Sequence, residues 1–150
     1  MEGDGEYDPP ERMRRLPSWL ASQLARRGAG LVGESLAKEG VRRQHFAVLT
    51  SLAEQGAASQ AALGRRLWID RSDLHALLTK LEHDGHVARV RDPEDGRRNV
   101  VTLTAGGRAL LRRLDKRIDA AQTALLEPLT AGERRELTRL LERVVSHRSV

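Results

Sequence analysis

Residues 85–104 constrain this chain most, because helical spacing stops there and a hairpin begins. Residues 87–91 and 100–103 are strand-like, and Asp92-Pro93-Glu94-Asp95-Gly96 between them supplies the residue types a tight turn requires. Two short helical stretches stand directly in front. Ser59 is placed to cap a helix over 60–67, and Asp70 to cap another over 71–84, where Leu74, Leu77, Leu78 and Leu81 share one face and Gly85 supplies the stop. Two short helices joined through Trp68-Ile69 make a helix-turn-helix, and a hairpin immediately behind it makes a wing.

The flanks read as helix throughout. Pro17-Ser18 opens a first helix carrying Trp19, Leu20 and Leu24, although Gly28, Gly30 and Gly33 each weaken its middle by roughly 1 kcal/mol against alanine. It either breaks near 28–30 or leans on a partner. Phe46, Leu49, Leu52 and Ala53 stripe a helix over 44–55 that stops at Gly56. Thr104 is placed to cap a helix with Leu110, Leu114, Ile118, Ala121 and Leu125, ended by Pro128. Thr130 with Glu133 forms a capping box for a last helix carrying Leu137, Leu140, Leu141, Val144 and Val145. With 39% hydrophobic but only 3% aromatic residues, the core has to be leucine, valine and alanine, which suits packed helices. The expected fold is mainly α with a small β-hairpin wing.

Charge is distributed unevenly along the 150 residues. Glu2, Asp4, Glu6, Asp8 and Glu11 precede the first basic residue, which leaves 26 basic against 16 acidic residues from Arg12 onward. The expected organisation is an acidic, mobile tail over 1–15 and a single basic domain over 16–150. A body so charged attracts polyanions by Coulomb forces and counterion release. With no cysteine there is neither a disulfide scaffold nor a thiol switch, and the short apolar runs suit neither a membrane span nor a signal peptide. A cytoplasmic protein with no membrane partner is expected.

The helix over 71–84, roughly 21 Å long, can lie in a DNA major groove. Its inward side is leucine, and it exposes Arg71, Ser72, Asp73, His75, Ala76, Thr79 and Lys80. Asp73 either accepts from a cytosine amino group or caps the helix. At the hairpin tip stand Arg97 and Arg98. Residues 65–98 hold eight basic and seven acidic side chains, so the module binds DNA only if its cations are sorted onto one face.

The run Leu81-Glu82-His83-Asp84-Gly85, followed by Asp92-Pro93-Glu94-Asp95-Gly96-Arg97 and Leu103-Thr104-Ala105-Gly106-Gly107, resembles the Leu-Glu-x-x-Gly, Asp-Pro-x-Asp-x-Arg and Leu-Thr-x-x-Gly series of the MarR family. Gln44, Phe46 and Leu49, and Leu67-Trp68-Ile69-Asp70-Arg71-Ser72, are also similar to that family's second helix and recognition-helix entry. The likeness spans about 16–146. It implies a winged helix-turn-helix with a DNA-binding lobe over about 44–104 and dimerisation helices over 16–40 and 105–148. The implied partners are a double-stranded, pseudo-palindromic operator and a second copy of the chain. Arg97 falls on the wing-tip arginine that enters a minor groove, where guanidinium suits the concentrated negative potential, and Asp95 braces the wing.

The resemblance further implies a repressor released by a small effector, held between the dimer helices and the DNA-binding lobe. Arg15, Trp19, Arg42 and His45, beside Arg14 and Arg43, offer cations, an indole and an imidazole suited to an aromatic or phenolic acid. His83, His86 and Asp84 lack a compelling metal spacing, and neither a metal site nor a cofactor is expected. An enzyme is disfavoured by the absence of a Gly-x-Ser-x-Gly elbow, a phosphate loop or a zinc-protease motif. The remaining alternative is a winged adaptor that joins proteins.

Overall fold

The computed structural model describes residues 7–147; residues 1–6 of the expected acidic tail and 148–150 at the other end lie outside the described residues. The elements are α1 (Glu11–Arg14), α2 (Pro17–Ala37), α3 (Arg43–Gln55), β1 (Ala58–Ser59), α4 (Gln60–Leu67), α5 (Arg71–His83), β2 (Val87–Arg91), β3 (Asn99–Leu103), α6 (Ala105–Leu125) and α7 (Ala131–Ser146). This is the mainly helical, winged architecture that the sequence predicts. Among the described residues, no helix is long and apolar enough to cross a membrane.

Two compact units divide the chain. One comprises the described residues of Met1–Leu31 and Gln122–Val150, the other Val32–Ala121. Sequence reasoning treats 16–150 as one domain; the divisions fall inside α2, between Gly30 and Gly33, and inside α6.

In the unit Val32–Ala121, α3, α4 and α5 enclose Val48, Leu49, Leu52, Leu63, Leu74, Leu78 and Leu81, with Leu36, Leu110 and Leu114 from α2 and α6 completing the core. β2 pairs antiparallel with β3, Val87 opposite Leu103 and Arg91 opposite Asn99. A third strand joins the hairpin: Ala58 and Ser59 pair with Val101 and Val100, giving the order β1-β3-β2. Ser59 both ends that strand and caps α4, its hydroxyl accepting the Ala62 amide at 3.1 Å. Across the same unit, Glu39 accepts from Arg117 Nε at 2.9 Å and Arg113 Nε at 3.4 Å, and these bonds, Arg117 first, hold its carboxyl below the usual carboxylate range.

α2 runs unbroken through its glycines, so no break occurs at 28–30. The reason at Gly28 is close packing: an added Cβ there would lie 3.3 Å from Leu125 Cδ2, while Gly30 and Gly33 have nothing within 4 Å. In the segment expected to be a tail, Glu11–Arg14 forms a turn of helix, with Arg14 paired to Asp8 at 3.0 Å. Thr130 and Glu133 exchange the bonds of the capping box that starts α7. Yet α7 buries none of its residues, and Leu140, Leu141, Val144 and Val145 remain exposed, as do Leu16 and Leu20.

Candidate nucleic-acid interface

The turn between α4 and α5 is tight. Trp68 takes a left-handed conformation (φ 55°, ψ 41°) at the end of α4, and the Ile69 amide returns to the Gly64 carbonyl at 3.1 Å. A Cβ on Gly64 would stand 3.1 Å from the Ile69 oxygen, so glycine permits this approach. Ile69 is buried by the turn, whereas Trp68 is 94% exposed.

Asp70 then starts α5. One of its carboxylate oxygens accepts the Asp73 amide and the Ser72 hydroxyl, each at 2.9 Å, and these bonds lower its pKa. The cap is therefore Asp70, which removes capping as the role of Asp73. Asp73 sits in the first helical turn, and the neighbouring Asp70 carboxylate raises its pKa. Leu74, Leu77, Leu78 and Leu81 turn inward, and Arg71, Ser72, Asp73, His75, Ala76, Thr79 and Lys80 are all exposed. Lys80 is tied to the segment that follows α2. Its ammonium donates to the Gly40 carbonyl at 3.1 Å and pairs with Asp84 at 3.4 Å.

Gly85 ends α5 with φ 78°, the His86 amide reaching back to the Leu81 carbonyl at 2.8 Å. The hairpin turn closes through the Asp92 amide on the Arg98 carbonyl (2.9 Å) and the Arg98 amide on the Asp95 carbonyl (3.0 Å). Asp95 also accepts the Arg97 amide at 3.0 Å, and its carboxylate lies 3.8 Å from Arg98 Nε. Both arginines are exposed at the tip; Asp95 binds the backbone beneath Arg97 rather than its guanidinium.

A concavity of about 1250 Å³ opens between α4, the start of α5 and the turn end of the wing, lined among others by Gln60, Arg65, Arg71, Ser72, His75, Arg97, Arg98 and Asn99. It exceeds the roughly 300–1,000 Å³ usual for a small-molecule pocket. Four arginines share this groove with Asp70; of the cations that had to be sorted onto one face, Arg65, Arg97 and Arg98 line it, whereas Arg66 and Lys80 do not. The described residues contain no group of three or more His, Asp or Glu side chains arranged to hold a metal ion.

Sequence reasoning missed Arg89. From β2 its guanidinium reaches α5, lying 3.3 Å from His75 Nδ1, 3.2 Å from Thr79 Oγ1 and 3.1 Å from Glu82 Oε1, while its amide donates to Glu82 Oε2 at 3.0 Å. Both bonds lower the Glu82 pKa. The available signal was an acidic residue before the Gly85 stop and a basic one on the following strand, seven residues apart.

The expected effector residues fall in both units. Arg15, exposed and paired with Glu11, and half-buried Trp19 belong to one. Arg42 and His45 belong to the other, where the Arg42 amide donates to His45 Nδ1 at 3.0 Å and closes the first turn of α3. His45 is buried, and burial, with Lys80 and Arg42 nearby, lowers its pKa.

The chain is similar to known proteins over most of its length. Residues 39–98 match the MarR family. The HTH-type transcriptional repressor Rv2887 of Mycobacterium tuberculosis is 36% identical over 130 residues, covering 85% of this chain and 94% of the repressor. A MarR mutant from E. coli complexed with operator DNA superposes with a TM-score of 0.72 at 26% identity, covering 91% of this chain and 99% of that one. The PcaV transcriptional regulator of Streptomyces coelicolor, in complex with its natural ligand, gives a TM-score of 0.70 at 30% identity over 92% of this chain and 97% of its own.

Proposed function

The chain belongs to the MarR family, and from that premise we propose that it is a cytoplasmic transcriptional repressor that grips a pseudo-palindromic operator as a homodimer and lets go when a small molecule binds. In this reading it acts by binding rather than by catalysis. One observation carries this reading: Arg71, Ser72 and His75 of α5 line the same groove as Arg97 and Arg98 of the wing, so helix and hairpin present polar groups and cations to a single extended partner. Asp73, Ala76 and Thr79 extend the exposed face of α5. In duplex DNA the helix reads base edges in the major groove, and the wing arginines enter the flanking minor groove. Lys80 contributes charge from its place against Gly40.

A second copy of the chain is the natural cover for the leucine and valine left exposed on α7 and at the start of α2. The effector reading rests on the ligand-bound PcaV relative and on the residue types that the sequence offers, cations, an indole and an imidazole suited to an aromatic or phenolic acid.

Fluorescence anisotropy on genomically selected duplexes, across a salt series, tests the proposal. Arg97→Ala is expected to weaken binding by about 1–3 kcal/mol per site while folding and dimer mass are unchanged. Its affinity should also fall less steeply with salt, because each lost phosphate contact removes about 0.9 from the logarithmic slope. Unchanged affinity and slope in a folded Arg97→Ala protein would take the wing out of the mechanism, and a monomer by light scattering would refute the two-fold arrangement.

A further inference from the structure

We infer that Arg89 sets the base preference of the recognition helix by holding His75 in one tautomer, so that His75 offers DNA a hydrogen-bond donor. The inference rests on the DNA-binding reading above and deepens it.

A guanidinium carries five N–H donors and no acceptor, and it keeps its protons at every pH a protein survives. At 3.3 Å from Arg89 Nη1, His75 Nδ1 is therefore the acceptor. A neutral imidazole that accepts at one nitrogen carries its proton on the other. Both alternatives, the Nδ1–H tautomer and the imidazolium, would set an N–H against the guanidinium. The same guanidinium is anchored by Thr79 Oγ1 at 3.2 Å and Glu82 Oε1 at 3.1 Å, and its side chain is only 14% exposed, so it is not free to swing away. Glu82 is the only carboxylate bonded to it, and Nδ1 makes no other bond among the described residues.

His75 is exposed and lines the groove with Arg71 and Ser72. With Nδ1 occupied, the polar ring atom left for DNA is Nε2, a donor. In the major groove guanine presents O6 and N7, adenine N7 and thymine O4 as acceptors, whereas cytosine presents only its amino donor. His75 thus admits an acceptor base opposite Nε2 and excludes cytosine. Arg89 need not touch DNA to do this; it is a positioning residue acting through His75.

Two measurements test the inference. In the full-length protein labelled with 15N-histidine and free of DNA, long-range 15N–1H correlation, assigned by the signals lost in His75→Gln, should find Nδ1 at the unprotonated extreme and Nε2 at the protonated one. In Arg89→Met the two shifts should move toward each other. Averaged shifts in the parent, or a protonated Nδ1, would overturn the tautomer assignment. Selection from randomised duplexes should show one position per half-site where cytosine is disfavoured by about tenfold, at the lower end of what a good base contact supplies. That discrimination should fall below about twofold in Arg89→Met, and also in His75→Gln, whose amide both donates and accepts. If the parent selects a sequence without excluding cytosine anywhere that His75→Gln relaxes, the base-preference inference is wrong while the regulator reading stands. If no sequence is selected at all, the regulator reading fails and takes the base preference with it, and the 15N shifts still decide the tautomer.

Discussion

Replacing Gly107 by alanine should be among the most damaging single-methyl changes available in this chain. Gly107 lies in the first turn of α6, where the helix crosses the start of the wing. A Cβ there would lie far inside contact with the His86 carbonyl oxygen and 2.6 Å from Leu103 Cδ1. The oxygen belongs to backbone and has no rotamer to escape through. The same junction is tied by Thr104, whose amide donates to that carbonyl at 3.2 Å and whose hydroxyl donates to Gly85 at 2.6 Å and accepts the Gly107 amide at 3.0 Å. Making room means parting α6 from β2 and stretching the two bonds from Thr104 to His86 and Gly85. Overpacking costs about 1–3 kcal/mol and two weakened hydrogen bonds about 1 kcal/mol each, against a gain of about 1 kcal/mol in helix propensity. The net is a loss of roughly 2–4 kcal/mol from a total of about 5–15 kcal/mol for a domain. Urea unfolding followed by circular dichroism, with an unchanged slope as the sign that the transition is the same, measures it. Gly106→Ala is the graded control, since its Cβ would stand 3.0 Å from the Gly85 oxygen, and Gly30→Ala the open one, with nothing within 4 Å. The former should cost less than Gly107→Ala, and the latter should stabilise by up to about 1 kcal/mol. A Gly107→Ala protein within about 1 kcal/mol of the parent, or a Gly106→Ala protein worse than it, would refute the close-approach argument.

His45 should impose a pH dependence on stability. Burial, then Lys80 and Arg42, lowers its folded pKa, so between that value and the ordinary one of about 6.5 the unfolded chain binds a proton that the folded chain does not. Stability is accordingly full above about pH 6.5 and is lost as pH falls toward the folded value. His45→Gln keeps an acceptor for the Arg42 amide and removes the titration, so its stability should be flatter over that window; an equal slope would assign the dependence elsewhere. Trp68→Gly should stabilise the fold by about 0.5–1 kcal/mol, the left-handed penalty relieved less the added chain entropy of glycine. With Trp68 94% exposed, little burial is lost in exchange, and a thermal midpoint below the parent's would contradict this.

The elements legible in the sequence are those whose ends are set by neighbours in the chain. Ser59, Asp70, Thr104 and Thr130 each cap a helix within three residues of themselves, and Gly85 closes α5 by its own positive φ. β1 was not legible, because Ala58 and Ser59 have no strand character and gain it from partners more than forty residues later. The glycines of α2 misled in the opposite direction: propensity argues for a break, and tertiary packing, as at Gly28 against Leu125, overrides it. At the groove, exposure of the α5 residues followed from the leucine stripe, but the second capping role offered for Asp73 was removed only by the bond its amide donates to Asp70. The Leu-Thr-x-x-Gly motif could be matched without its cause, which is the His86 oxygen beside Gly107.

Arg89 shows why wing and helix cannot be treated as independent readers. The sequence suggests a division of labour in which Arg97 enters the minor groove and α5 chooses the bases. The structure adds a strut between them: β2 carries Arg89 to three side chains of α5 spaced along its length, His75, Thr79 and Glu82. Tilting the hairpin drags that guanidinium with it, so a change in wing position is felt at His75 and Thr79 on the helix's exposed face. Arg97 lies outside this strut, because its amide is held by Asp95 within the turn and its side chain projects from the tip. The two arginines of one hairpin therefore separate physically. Loss of Arg97 should lower affinity alike for all sequences, whereas loss of Arg89 should change which sequence is preferred, and a double variant should show the two effects adding because the sites share no partner.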